Sequence, residues 1–169
     1  LQLNGTQGSA FFAVASLFAF TGSWSSHRIV KKHSSLQLLI GASVLLSLGF
    51  AGIALSPHYL WMLVGCALFG WSYGALNLAQ NVMIFESGSA HLRRRLFSGL
   101  HSMYGLAALC APLTASVFSS LGMSWRQIFL ILACFPVLLG VASLKVEARS
   151  SKDEEVHGPP MNRGEWIRC

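Results

Sequence analysis

Charge is what this sequence has least of. Asp, Glu, Lys and Arg together make up 11% of its 169 residues against 53% hydrophobic residues, and the mean hydropathy is +0.55. So few charges cannot solvate the surface of an ordinary soluble domain of this length. Acid is scarcer still, because Glu86 is the only carboxylate side chain before Lys145. Paired carboxylates for general acid and base work are therefore excluded from that region. Cysteine is sparse: Cys66, Cys110, Cys134 and Cys169 occur singly, without the spacing of a zinc site or the density of a disulfide scaffold. His27, His33 and His91 fall in basic loops rather than beside further ligands. His101 has no acid at helical spacing. An enzyme is not expected, and neither a catalytic residue, a metal nor a cofactor is assigned.

A targeting peptide is also missing. The first apolar run, Ser9 to Trp24, has neither a basic leading region nor a cleavage site, and no initiator Met precedes it. The expectation is a chain that begins partway into a larger protein.

What the sequence does contain is a series of long apolar runs that do not alternate. In a bilayer the backbone must satisfy its own hydrogen bonds, so runs of roughly 20 apolar residues select helices. The expected fold is an all-α, polytopic membrane bundle with spans at about 9–26, 36–55, 59–85, 96–118 and 128–144. Residues 1–8 then form an extracellular or lumenal segment. Residues 145–169 mix both signs with Gly and Pro and read as a disordered cytoplasmic tail or linker.

The connectors alternate in charge. Arg28, Lys31 and Lys32 fall in the first, Arg93, Arg94 and Arg95 in the third, and five more cations in the tail, leaving Arg126 alone on the other side. Positive loops stay cytoplasmic, which puts the amino terminus outside and the tail inside a membrane of unknown identity. The net charge of +6 is accounted for by topology and anionic lipid, and no nucleic acid is called for.

The third span carries the most information. At about 100° per residue, Tyr73, Asn77 and Gln80 share a narrow stripe with Asn81 beside it. Amides facing lipid are costly, so the stripe faces protein or water. Interhelical bonding and the lining of a cavity both satisfy that condition. Gly70 and Gly74 in this span, and Gly105 in the next, permit close helix packing. Pro112 removes a backbone donor and is expected to bend the fourth span.

Several stretches resemble the major facilitator superfamily of secondary transporters. GSWSSHRIVKKHS looks like the loop after that family's second helix, G-x-x-x-D-R-x-G-R-R. Gly22 matches its leading glycine, and Arg28, Lys31 and Lys32 keep its basic character. The Asp is missing, with Ser26 nearest its place. ESGSAHLRRRLFSGLH is similar to the link between helices four and five of the sugar-porter branch, in which a Glu precedes an Arg by seven residues, as Glu86 precedes Arg93. His101 falls where that branch has a substrate-facing glutamine. Ala107-x-x-x-Ala111-Pro112 is similar to the fifth-helix G-x-x-x-G-P, and SLGMSWRQIF resembles the turn into helix six, with Trp125 and Arg126 at the outer interface. No arginine stands in the fourth-helix region, where Leu63 and Val64 lie, so proton coupling through that residue is not implied.

The resemblance covers about residues 9–144 as helices two to six, with helices eight to twelve the alternative that internal repeats allow. It implies alternating-access transport of a small polar solute, with or without a coupling ion, by a chain that lacks the remainder of its transporter. Tyr73, Asn77, Gln80, Asn81, His101 and Tyr104 are the candidate lining, and Arg28, Glu86 and Arg93 the candidate cytoplasmic gating contacts. A non-transporting membrane protein that packs against partner helices through its small-residue faces is the competing reading.

Overall fold

The computed structural model describes residues 4–87 and 89–157, with side chains through Leu144. Five helices follow in order: α1 (Gly5–Ile29), α2 (Ser35–Leu55), α3 (Tyr59–Glu86), α4 (Ala90–Ser120) and α5 (Trp125–His157). Among the described residues there is no strand. Four of the five, α2 to α5, are long and apolar enough to cross a membrane. α1 is set apart by the Gly, Ser, Thr and Gln that interrupt its apolar residues.

The helix ends follow the sequence closely. Asn4 caps α1 in a capping box with Gln7: its side chain accepts from the Gln7 N–H at 2.8 Å, and Gln7 Oε1 accepts from the Asn4 N–H at 3.1 Å. Ser34 and Ser89 cap α2 and α4 by accepting from the backbone N–H groups of Gln37 and Leu92. α4 stops where Gly122 adopts φ 74°, with Gly122 N–H donating to Ser119 O and Met123 N–H to Phe118 O. That pair of bonds is a Schellman stop, which requires a left-handed residue that glycine supplies without strain. Ser124 and Gln127 then open α5 with a second reciprocal cap.

Three expected boundaries move. α1 begins at Gly5, so little of the expected 1–8 segment precedes it, and residues 1–3 lie outside the described residues. The tail is not wholly irregular, because the α5 backbone stays helical past Leu144 to His157. KVEARSSKDEEVH is rich in residues of good intrinsic helix propensity, which propagate an existing helix without needing a core. Residues 158–169 lie outside the described residues. α4 also starts before the expected 96, since its Ser89 cap brings the basic HLRRR stretch into the first turns.

Packing centres on α3. α1 and α3 run parallel, with Gly70 against Ala15 and Gly74 against Ala19 and Ser23. A Cβ on either glycine would collide with the facing carbonyl oxygen, and the same holds for Gly22 against Trp71. These are backbone-on-backbone contacts of the small-xxx-small type. α2 lies antiparallel on the neighbouring side of α3. There a Cβ on Gly65 would sit 2.7 Å from Ile53 N, and one on Gly49 2.7 Å from Phe69 N. Leu38, Leu39, Ala42 and Leu46 of α2 form a buried core with Ala75, Leu76 and Ala79 of α3. α5 packs on the far side of α2, with Phe129 against Phe50 and Gly140 against Ser43.

α4 stands off from this group. It buries no residue along 31 positions, and what would surround a Cβ on Gly105 or Gly99 is open space. The packing role expected of Gly105 therefore has no neighbour here. Pro112 sits inside a helix that runs unbroken from Ala90 to Ser120.

Gly74→Ala is expected to destabilise the purified protein by about 1–3 kcal/mol, the usual cost of overpacking. Gly99→Ala on the open face should change stability by less than about 0.5 kcal/mol. Thermal unfolding in detergent, followed by circular dichroism, compares the two.

Candidate functional site: an amide stripe on the central helix

Because α1 holds one flank of α3 and α2 the other, the strip of α3 between them is left uncovered. The sequence places Tyr73, Asn77, Gln80 and Asn81 on that strip. Tyr73 is 43% exposed, and the three amides are half-buried. Their partners divide them into two groups.

The first faces α1. Tyr73, Asn77 and Asn81 line an indentation of about 260 Å³ together with Ala19, Ser23, Gly74 and Leu78. Within it Asn81 Nδ2 donates to Asn77 Oδ1 at 3.3 Å, a bond along one helix that ties neither amide to a neighbouring helix. Gly74 gives the indentation its floor. The close approach of α1 at Ala19 brings Ser23, a residue that sequence reasoning had left in the loop motif, to the same wall. Nothing local marks Ser23 as a site residue, because its place depends on the α1–α3 register.

The second group faces α4. Tyr104 donates its hydroxyl hydrogen to Gln80 Oε1 at 3.0 Å, and the His101 ring lies 6.4 Å from that of Tyr104. Both α4 residues are exposed. Gln80 thus acts as the polar link between α3 and the loosely packed α4. The two ring systems of α3 continue toward the other end of the helix: Tyr73 stacks on Phe69 at 6.2 Å and 17°, Phe69 meets Phe50 at 5.0 Å, and Phe50 meets Phe129. Phe69 belongs to no motif, and its signal was only that of a core aromatic.

The candidate gating charges have separate partners. Glu86 Oε2 accepts from the buried Ser35 hydroxyl at 2.8 Å, which sets the carboxylate at the amino-terminal end of α2. Arg93 Nη1 donates to the Phe85 carbonyl at 3.4 Å and its guanidinium lies 5.1 Å from the Phe85 ring. Arg28 lies over Trp24 at 4.9 Å. The spacing of Glu86 and Arg93 therefore brings Arg93 to the residue beside Glu86 rather than to its carboxylate. Ser26, nearest to the place of the absent Asp, is fully buried, with a hydroxyl that finds no partner among the described residues.

No group of three or more potential metal ligands occurs among the described residues. What the site offers is neutral donors and acceptors beside aromatic faces.

A family model described as Major Facilitator Superfamily matches residues 1–163. No curated protein and no solved structure matches the chain.

A double-mutant cycle tests the assignment of Glu86. Ser35→Ala and Glu86→Ala should couple by about 1 kcal/mol, as a hydrogen bond to a partly exposed carboxylate does. Glu86→Ala and Arg93→Ala should couple by less than about 0.3 kcal/mol. Chemical unfolding of the purified variants gives both values.

Proposed function

This chain belongs to the major facilitator superfamily and is a membrane transporter component, and we propose that it forms part of a carrier for a small, uncharged polar solute. Transport would follow alternating access, with this bundle rocking against a second one. The observation that carries the reading is the uncovered amide strip of α3. Asn77 and Asn81 bond only to each other on one helix, so they contribute little as interhelical glue and retain donors and acceptors for a ligand.

The solute class follows from the residues at hand. The lining comprises amides, hydroxyls and rings, and the described residues of α3 between Tyr59 and Phe85 include no charged side chain. A ligand with several hydroxyl or amide groups is matched by such a surface, whereas an ion would be left without a counter-charge in a medium where desolvation is costly. Tyr73, Asn77, Asn81 and Ser23 form one wall, and Gln80, Tyr104 and His101 the other. Coupling to an ion is not required by any residue of this set.

The standing-off of α4 fits a chain that lacks the first helix of its bundle, as helices two to six and helices eight to twelve both would. A further helix of the same bundle, seated between α4 and α5, would cover a face that is apolar yet buries nothing. The basic connectors lie on the cytoplasmic side in this reading. Closure there would run through Arg28, Glu86 and Arg93, and Glu86 can accept at Oε1 while Oε2 stays bonded to Ser35. The competing reading, a non-transporting protein that recruits partner helices through small-residue faces, loses Gly22, Gly49, Gly65, Gly70 and Gly74, which are occupied within the chain, and keeps Gly99 and Gly105 of α4, which stay open.

Cysteine labelling tests the proposal without knowledge of the solute. In the complete transporter depleted of native cysteines, Asn77→Cys should react with a water-soluble maleimide and Ala79→Cys, fully buried against α2, should not. An unreactive Asn77→Cys in every condition would remove the cavity. The 169-residue chain reconstituted alone is expected to give no uptake of any hydroxylated solute tested, because one partial bundle cannot enclose a two-sided path.

A further inference from the structure

The side of α2 turned away from α5 carries a second feature that the transport site does not use. Gln37, Gly41, Leu48 and Gly52 recur at helical spacing along it and are all exposed. At the end nearest the Val30–Ser34 turn this stripe opens into a groove of about 250 Å³, with Ile29 of α1 on one wall, Leu38, Gly41 and Leu45 of α2 on the other, and Trp71 of α3 at its base. Its walls are apolar except at the mouth, where His33 and Gln37 stand. Trp71 is held in place by a hydrogen bond from its Nε1–H to Ser25 Oγ at 3.1 Å.

Two observations identify the occupant. The first is orientation: at about 100° per residue Trp71 lies about 160° around α3 from Tyr73 and about 120° from Asn77. The groove therefore opens on the opposite side of the bundle from the amide strip, and α4 and α5 contact other faces. An apolar groove facing outward from a membrane bundle meets acyl chains.

The second is charge. Lys31 and Lys32 are exposed in the same turn as His33, and Glu86, the one acid among the residues through Leu144, is held on the α3 side of α2 by Ser35. Among the residues whose side chains are described, the mouth of the groove is therefore cationic, at the level where headgroups lie. Each such cation near an anionic membrane surface contributes about 1 kcal/mol of attraction. Gly41 leaves the α2 wall bare, since nothing lies within 4 Å of where its Cβ would be.

We propose that this groove is a binding site for an anionic glycerophospholipid of the leaflet on the Lys31–Lys32 side, with its phosphate at Lys31, Lys32 and Gln37 and one acyl chain laid over Gly41 against Trp71. The lipid would bridge α1, α2 and α3 at the end where the α1–α2 connector turns. It is thus a component of the fold on the side opposite to the solute path.

Quenching of tryptophan by brominated lipid tests this. The full chain is reconstituted in phosphatidylcholine vesicles containing a minor fraction of acyl-brominated phosphatidylglycerol or, separately, the same fraction of acyl-brominated phosphatidylcholine. The Trp71 contribution is the difference between the unaltered chain and Trp71→Phe. Brominated phosphatidylglycerol should quench Trp71 roughly fivefold more effectively than brominated phosphatidylcholine. Joint replacement Lys31→Gln and Lys32→Gln, on an exposed turn that leaves the packing untouched, should bring the two lipids to equality. Gly41→Leu should abolish the enhanced quenching while preserving the helical circular dichroism. Equal quenching of the unaltered chain by both lipids would overturn the proposal, as would a preference that survives the lysine replacements. Loss of the preference on adding millimolar inorganic phosphate would assign the cations to a soluble anion and overturn it equally.

Discussion

The arrangement of this bundle depends on the approach of α3 to its neighbours at backbone distance. Gly70 and Gly74 admit the carbonyls of Ala15 and Ala19, Gly22 admits that of Trp71, and Gly49 and Gly65 bring α2 against the other flank. Lipid gives helices no hydrophobic reason to associate, so shape and close van der Waals contact carry the association. With both flanks occupied in this way, the amide stripe is left over as the uncovered strip. The same contacts that stabilise the bundle thus decide which polar groups remain free for a ligand.

The few charges at the ends of the helices serve a related purpose. Glu86 meets the amino-terminal end of α2 through Ser35. Arg126 donates to the carbonyl of Ser56 at the carboxyl-terminal end of α2 at 3.0 Å, and Arg93 to the carbonyl of Phe85 near the end of α3. In each case the charge is opposite in sign to the end of the helix it bonds to, though each lies at the unfavourable end of its own helix, and the two arginines satisfy carbonyls near helix ends. α2, the most apolar helix together with α5, is accordingly held by an acid at one end and a base at the other. A chain with so little charge has used three of its charged groups as end fittings.

Much of this was legible in the sequence, and the failures share a cause. The helical spans and the packing value of Gly22, Gly70 and Gly74 follow from local composition and helical period, whereas the caps at Asn4, Ser34 and Ser89 were not read from it. Glu86 and Arg93 were read as gating contacts because their seven-residue spacing resembles that of the sugar-porter branch. The carboxylate was instead taken by Ser35, which is 51 positions away in sequence. Ser23 was missed for the same reason, since its value arises from the register of α1 on α3. Gly105 was expected to pack by analogy with Gly70, but a small residue only records that close approach is allowed, and α4 has no close neighbour to use it.

The sequence alone determined the class: the scarcity of charge and the length of the apolar runs leave helices in a bilayer as the structure that satisfies the backbone, and the motifs at the ends of those runs pointed to the superfamily whose model matches residues 1–163. Which side chains face one another was decided only by the tertiary structure. Helical period fixes the azimuth of a residue on its own helix but not the rotation and offset of the helix beside it. Those are set by backbone contacts between glycines and carbonyls far apart in the chain, and they made one face of α3 a polar strip and the outward face of α2 an apolar groove.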